Sequence, residues 1–191
     1  AAKNANLLVR IPGWVRNQVV PSDLYAYRDA EKPTYSVTVN GKAVEADLVA
    51  NKGYLPVKNI KNGDVVRIHF DMPVRTVVAN GKVAVERGPL VYCAEAVDNA
   101  GEPVLRAVMG SKKPAFTLVD NYTIQNTETK GAPAFAVKAI QTPAQVLDQA
   151  ADGKVSVKNM NLTLIPYYAW NHRGANQMNV WFYQNLAVFD K

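Results

Sequence analysis

Val83-Ala84-Val85-Glu86-Arg87-Gly88-Pro89-Leu90-Val91-Tyr92-Cys93-Ala94-Glu95-Ala96-Val97-Asp98-Asn99 is the stretch whose reading decides the fold. Up to the Gly-Pro break its apolar residues alternate, and a period of two places alternate side chains on one face of a strand. Gly88-Pro89 punctuates the chain. A denser apolar run then resumes and ends in Asp98-Asn99. The stretch reads as a bent pair of short strands, with the only cysteine, Cys93, in the second. It lies between two β-like halves and reads as the crossing from one to the other.

Upstream, Leu7 to Ile11 is a short strand stopped by Pro12-Gly13. Asn17 to Pro33 is a polar, tyrosine-containing loop, with a helical turn expected after Ser22-Asp23. Tyr35 to Val39 alternates strictly and runs into Asn40-Gly41, the strongest short hairpin signal because both turn residues must take positive φ. Gly53 to Val57 and Val65 to Phe70 are further strands, and His69 falls on the more polar face of the latter. Asn80-Gly81 closes another tight turn, and the domain boundary is expected there. Downstream, short strands are expected at 104–108, 116–119, 122–124, 132–140, 155–157, 162–165 and 178–182. Residues 144–151 read as one helical turn or a polar loop.

Many short strands separated by Gly, Pro and Asn turns, with no useful amphipathic helix, indicate an all-β fold. The expectation is two consecutive antiparallel β-sandwich, jelly-roll-like domains, 1–80 and 81–191.

The chain has 191 residues and a formal net charge of +6. Its basic residues are scattered rather than gathered in a stripe, so nucleic acid is not expected as a partner. Arg10 and Arg16 read as solvated strand ends and turns. No apolar run approaches the ~20 residues needed to span a bilayer as a helix, so no membrane is expected. One cysteine excludes an internal disulfide and any cysteine-based zinc cluster. His69 and His172 are too far apart in sequence to form a local metal motif. Cys93, inside an apolar run, reads as a buried, inert thiol.

No hydrolase, phosphate-loop or dinucleotide fingerprint is present. Glu86 and Glu95 flank the Gly-Pro turn, but Glu86 reads as the partner of Arg87 in a strand-end salt bridge and Asp98-Asn99 as a turn. Catalytic, cofactor and metal residues are therefore expected to be absent. The remaining constellation is Tyr167-Tyr168-Ala169-Trp170-Asn171-His172-Arg173-Gly174. Tyr168, Trp170, His172 and Arg173 would stack on and hydrogen-bond a sugar, or else pack a domain interface, where aromatics with a polar tip are favoured. The interface is the favoured alternative.

Several motifs line up in order. Leu8 to Trp14 resembles "L-R-I-P-G-W", Val39-Asn40-Gly41 resembles "V-N-G", and Gly53-Tyr54 with Asn62 to Val66 resembles "G-Y … W-x-x-G-D-x-V". Met72 to Arg75 resembles "M-P-V-R", Val83 to Asn99 resembles "V-A-V-x-R-G-P-L-V-Y-C-x-E-x-x-D-N", and Ile165 to Gly174 with Val180-Trp181 resembles "I-P-Y-x-x-W-x-x-R-G … M-x-V-W". Collinear over nearly the whole chain, they resemble β-L-arabinofuranosidases of glycoside hydrolase family 127 and relatives. The long Asn17–Pro33 segment departs from the shorter linkers of many members.

The resemblance implies an (α/α)6 catalytic barrel followed by β-sandwiches, of which this chain is the C-terminal β region. It places a zinc-bound cysteine nucleophile and a glutamate acid/base in the barrel, upstream of this chain, so Cys93 is not that nucleophile. The implied partners are that barrel and plant-derived glycans, and the implied location is the bacterial periplasm or outside the cell. The family has strands just ahead of Leu7. Without them the first sandwich is expected to be incomplete, or completed through its free strand edge by another copy in a homo-oligomer.

Overall fold

Both Asn-Gly pairs form the turns expected of them. Asn40 and Gly41 have φ of 51° and 80°, and Asn80 and Gly81 of 47° and 74°. Each lies between directly paired strands, as a two-residue hairpin loop of this type requires. The computed structural model describes residues 4–28, 32–48, 51–127, 131, 133–150 and 152–189. The chain divides into two units, Ala1–Pro73 and Val74–Lys191. The division thus falls at Pro73/Val74 and not at the expected Asn80-Gly81, because that turn joins two strands of the second unit. For the same reason Val83–Asn99 is not a crossing between domains. It lies wholly in the second unit.

Among the described residues the first unit holds β1 (Ala5–Arg10), β2 (Ala26–Tyr27), β3 (Tyr35–Val39), β4 (Lys42–Ala43), β5 (Tyr54–Ile60) and β6 (Val66–Phe70). One sheet is the antiparallel pair β1–β5, and the other runs β4-β3-β6. Val9, Ile11, Val15, Val37, Leu55 and Val57 form the core between them. The outer edge of β1 carries no strand among the described residues. After Ser22-Asp23 there is a local turn rather than a helical one: Leu24 N–H donates to Ser22 Oγ at 3.4 Å.

The second unit holds β7 (Val74–Ala79), β8 (Lys82–Arg87), β9 (Leu90–Glu95), β10 (Ala107–Val108), β11 (Thr117–Ile124), β12 (Phe135–Gln149), β13 (Val155–Pro166), β14 (Met178–Asn179) and β15 (Phe182–Tyr183). The strand path is β14-β9-β13-β12-β10-β15-β8-β7, β11 pairs with β12, and β9 also pairs with β8. That last pairing closes the path into a ring, so the layers of this sandwich are continuous at their edges. Among the described residues the pairings around the ring are antiparallel except β10 with β15. Val83, Val85, Tyr92, Ala94, Met109, Ile140, Val146, Leu162, Leu164 and Phe182 fill the ring.

A second, smaller core contains Cys93, Ile124, Val137, Ala139, Ile165 and Ala169. Because alternate strand residues face opposite ways, β9 sends Tyr92 and Ala94 into one core and Cys93 into the other. Its apolar run is dense for that reason.

Residues 144–149 do not form a helical turn, and Ala151 lies outside the described residues. As far as Gln149 they continue β12, which pairs residue by residue with β13 from Ile140↔Leu164 to Gln149↔Val155. Pro143 is tolerated there because it sits between the end of the β11 pairing at Gln141 and the start of the β10 pairing at Gln145. Its missing N–H therefore costs neither of those two pairings a donor. Glu86 does not pair with Arg87 either. Sequence neighbours on a strand face opposite ways, and Glu86 meets Arg75, its cross-strand partner, at 3.6 Å.

Leu164 has no solvent exposure inside the ring. Leu164→Ala is expected to lower the stability of the second unit by about 2–5 kcal/mol, read as a lower urea midpoint with an unchanged slope.

Candidate functional site

The closing segment packs on the outer face of the ring. After β13 ends at Pro166, the chain makes a single 3₁₀ turn over Tyr167–Ala169. Asn171 and Gly174 then take positive φ, 66° and 83°, and fold the segment back toward β9. Trp170, Met178 and Val180 pack against the core that contains Cys93.

At the end of β9, Glu95 has no solvent exposure, and the 3₁₀ turn Ala96–Asn99 brings Asp98 beside it. Arg173 reaches both. Its Nη2 pairs with Glu95 Oε2, and its Nη1 meets Asp98 Oδ1 at 2.5 Å. The side chains of Arg173, Glu95 and Asp98 retain 8%, 0% and 2% of their exposure. The second Glu95 oxygen accepts from Asn171 N–H at 3.2 Å and from Asn176 Nδ2 at 3.1 Å. Tyr122 Oη donates to Asp98 Oδ1 at 2.6 Å. Two carboxylates and one guanidinium are thus taken out of water together, with the carboxylate oxygens satisfied and Arg173 Nε left without a partner among the described residues.

Burial works against the Arg173 charge. The hydrogen bonds and charges of Asp98 and Glu95 outweigh it and raise the arginine pKa above its ordinary value. The same surroundings push the Cys93 thiol up from 9.0 to about 12, first through burial and then through the negative charges of Glu95 and Asp98. Tyr122 rises from 10.0 to about 12, again first through burial and then through its bond to Asp98.

The structure separates the four residues singled out from the sequence. Arg173 is committed to the ion network. His172 packs its ring edge-on against Phe135 at 5.3 Å, and its carbonyl accepts from Thr127 N–H at 2.8 Å. Trp170 is half-buried, with its ring 5.9 Å from that of Tyr167. Tyr168 is 63% exposed and Tyr167 44%. The segment is therefore a buried clamp with an exposed tyrosine pair beside it.

The partners of Arg173 were not read as such from the sequence. The available signal was Glu95 itself, a carboxylate within an otherwise apolar run. A charge in that position is almost never fully buried without a partner.

Arg173→Met leaves two interior carboxylates without their cation, and the expected cost is about 3–5 kcal/mol. Tyr168→Ala, at an exposed position, is expected to change stability by no more than about 0.5 kcal/mol. Urea midpoints of the two variants check the contrast. Cys93 and Tyr122 have raised folded-state pKa values, so their contributions are complete below 9.0 and 10.0 respectively and disappear as pH rises toward about 12. Stability is therefore expected to fall across that alkaline window, and Cys93→Ala is expected to flatten the fall when urea midpoints are measured against pH.

Residues 68–183 match the glycoside hydrolase family 127 C-terminal domain. The non-reducing end β-L-arabinofuranosidase of Bifidobacterium longum subsp. longum is 32% identical over 185 residues, spanning 90% of this chain and 25% of that protein. A solved family 127 β-arabinofuranosidase superposes with a TM-score of 0.79 at 43% identity, over 97% of this chain and 29% of its own. The family 127 β-L-arabinofuranosidase of Geobacillus stearothermophilus T6 gives 0.67 at 27% identity, over 95% and 27%. The chain thus spans about a quarter of the length of the curated relative it matches. With a family match over most of its length and collinear relatives around it, the chain belongs to the glycoside hydrolase family 127 C-terminal domain family.

Proposed function

We propose that this chain is a non-catalytic accessory region of a β-L-arabinofuranosidase-like glycoside hydrolase, which braces a catalytic barrel in the same polypeptide. The observation that carries this reading is the state of its acidic residues. Hydrolysis of a glycoside by a carboxylate pair needs two carboxyl groups facing a cleft that a sugar can enter. Here Glu95 and Asp98 share one guanidinium in the interior, and Glu86 meets Arg75.

The zinc implied by the resemblance does not fit these residues. Cys93 is fully buried, and among the described residues no group of three or more His, Cys, Asp or Glu is placed to hold a metal ion. On this reading the metal and the nucleophile belong to the barrel. The outer edge of β1, which pairs with no strand among the described residues, suits a neighbouring segment, whether from the same polypeptide or from a second copy. A periplasmic or secreted location is part of the same proposal.

The test is a hydrolysis assay on an aryl β-L-arabinofuranoside. The isolated chain is expected to release no product, whereas a longer polypeptide that includes it is expected to turn over. Activity of the chain alone overturns the reading.

The exposed Tyr167–Tyr168 pair favours a second reading, contact with plant glycans. It requires a change in tryptophan fluorescence with such glycans that survives Trp14→Phe and is lost in Tyr168→Ala. An unchanged spectrum across a glycan panel removes it.

A further inference from the structure

Arg10 and Arg16 line one groove in the first unit. Arg10 ends β1, and Pro12-Gly13 then reverses the chain. Val15 and Arg16 N–H both donate to Pro12 O, at 3.2 and 3.3 Å, and Gln18 N–H donates to Gly13 O at 2.8 Å. This tight double turn carries Arg16 back over the end of β1. Its Nε donates to Ile11 O at 3.1 Å. The Arg10 guanidinium lies over the Tyr54 ring, 5.2 Å from its centroid, and its Nη1 donates to Lys52 O at 3.2 Å.

Gly53 lies between those two contacts, in a conformation that favours glycine. Its φ is +82°, and a Cβ there would stand 3.0 Å from Arg16 Cζ. The guanidinium of Arg16 therefore lies against bare backbone. Both side chains are oriented by backbone carbonyls, and no acid meets either among the described residues. Each has five N–H donors, and one of each set appears in these contacts.

The groove holds about 240 Å³ and is lined by Arg10, Trp14, Arg16 and Gln18, with Val19, Val20 and Pro21 along an apolar wall. Among the described residues no carboxylate belongs to that lining. Two oriented cations, with no acid among the described lining residues, beside an indole and an apolar wall, suit a small anion with a C–H face. A guanidinium fork pairs with carboxylate oxygens two at a time. The volume lies below the ~300–1,000 Å³ typical of drug-sized sites, so it suits a single ring.

We propose that this groove binds a carboxylate-bearing sugar unit, a uronate, with its carboxylate on Arg10 and Arg16 and its ring along Trp14. The anion follows from the two guanidinium groups. The choice of a sugar rests on the reading of the chain as part of a glycoside hydrolase.

The test is a titration of the full 191-residue chain with galacturonate, galactose and inorganic phosphate, followed by heteronuclear NMR of the Trp14 indole and the arginine Nε–H groups. Galacturonate is expected to shift the Trp14, Arg10 and Arg16 signals, and galactose at equal concentration to leave them in place. Arg10→Gln and Arg16→Gln are each expected to weaken galacturonate binding by about tenfold or more, and Arg16→Lys to recover it only in part. Arg67→Gln, on exposed β6, is expected to change nothing. The remainder of each spectrum reports whether the variant is folded.

Galactose binding as tightly as galacturonate overturns the proposal, as does absence of galacturonate binding by the folded chain, or binding indifferent to both arginines. Phosphate binding as tightly as galacturonate overturns the sugar part and leaves an oxyanion site. None of these results bears on the hydrolysis assay, where neither arginine is tested.

Discussion

Two carboxylates, Glu95 and Asp98, share the guanidinium of Arg173 inside the second unit. The placement of the closing segment depends on that sharing. β9 lies between two cores, and its outward-facing residues Cys93 and Glu95 need cover. Ala169, Trp170, Met178 and Val180 supply the apolar part of the cover, and Arg173 supplies the charge. Apolar packing alone tolerates sliding. A guanidinium meeting two fixed carboxylates does not. Such networks contribute little net stability compared with well-packed apolar substitutes, and are costly to break. Here the network specifies where residues 171–176 sit.

Asn99 plays a related part through its side chain. Its Nδ2 donates to Thr163 O at 3.0 Å, and its Oδ1 accepts from Thr163 N–H at 2.8 Å. One carboxamide thereby replaces the two hydrogen bonds that a neighbouring strand would make. The direct pairing of β9 with β13 covers only Cys93 and Tyr92 against Ile165 and Pro166, and Asn99 extends it one step further. Asn99 Nδ2 also donates to Glu95 O at 2.7 Å, which ties this extension to the ion network.

Much of the fold was legible because its causes are local. Asn40-Gly41 and Asn80-Gly81 mark hairpins through the φ they need, and the alternation of Val83 and Val85 marks one face of β8. The burial of Cys93 followed from its apolar neighbours. The expectation of a helical turn or loop at 144–151 missed the continuation of β12 beyond Pro143, which depends on which strands end beside that proline, a fact of tertiary structure. The clamp was less legible still. The aromatic and polar residues of 167–174 drew attention as a group, but their roles diverge according to what each meets. Arg173 meets carboxylates from β9 and the turn that follows it, and His172 meets Phe135. The groove at Arg10 and Arg16 was hidden by the same limitation. Two scattered basic residues read as solvated ends until Gly53 is seen beneath one of them and Tyr54 beneath the other.

Arg173 lies 78 residues after Glu95. A chain made from its N-terminus completes the β8–β9 hairpin long before that arginine leaves the ribosome. Through that interval Glu95 and Asp98 have no buried cation to meet, and the face of β9 that carries Cys93 has no lid. That face therefore gains its cover late in synthesis, when residues 165–180 arrive. Until then the thiol that is inert in the finished protein is open to oxidants and to other cysteines. The long reach of the clamp thus fixes a period of chemical vulnerability in the nascent chain, and that period ends with the arrival of the apolar residues that cover Cys93.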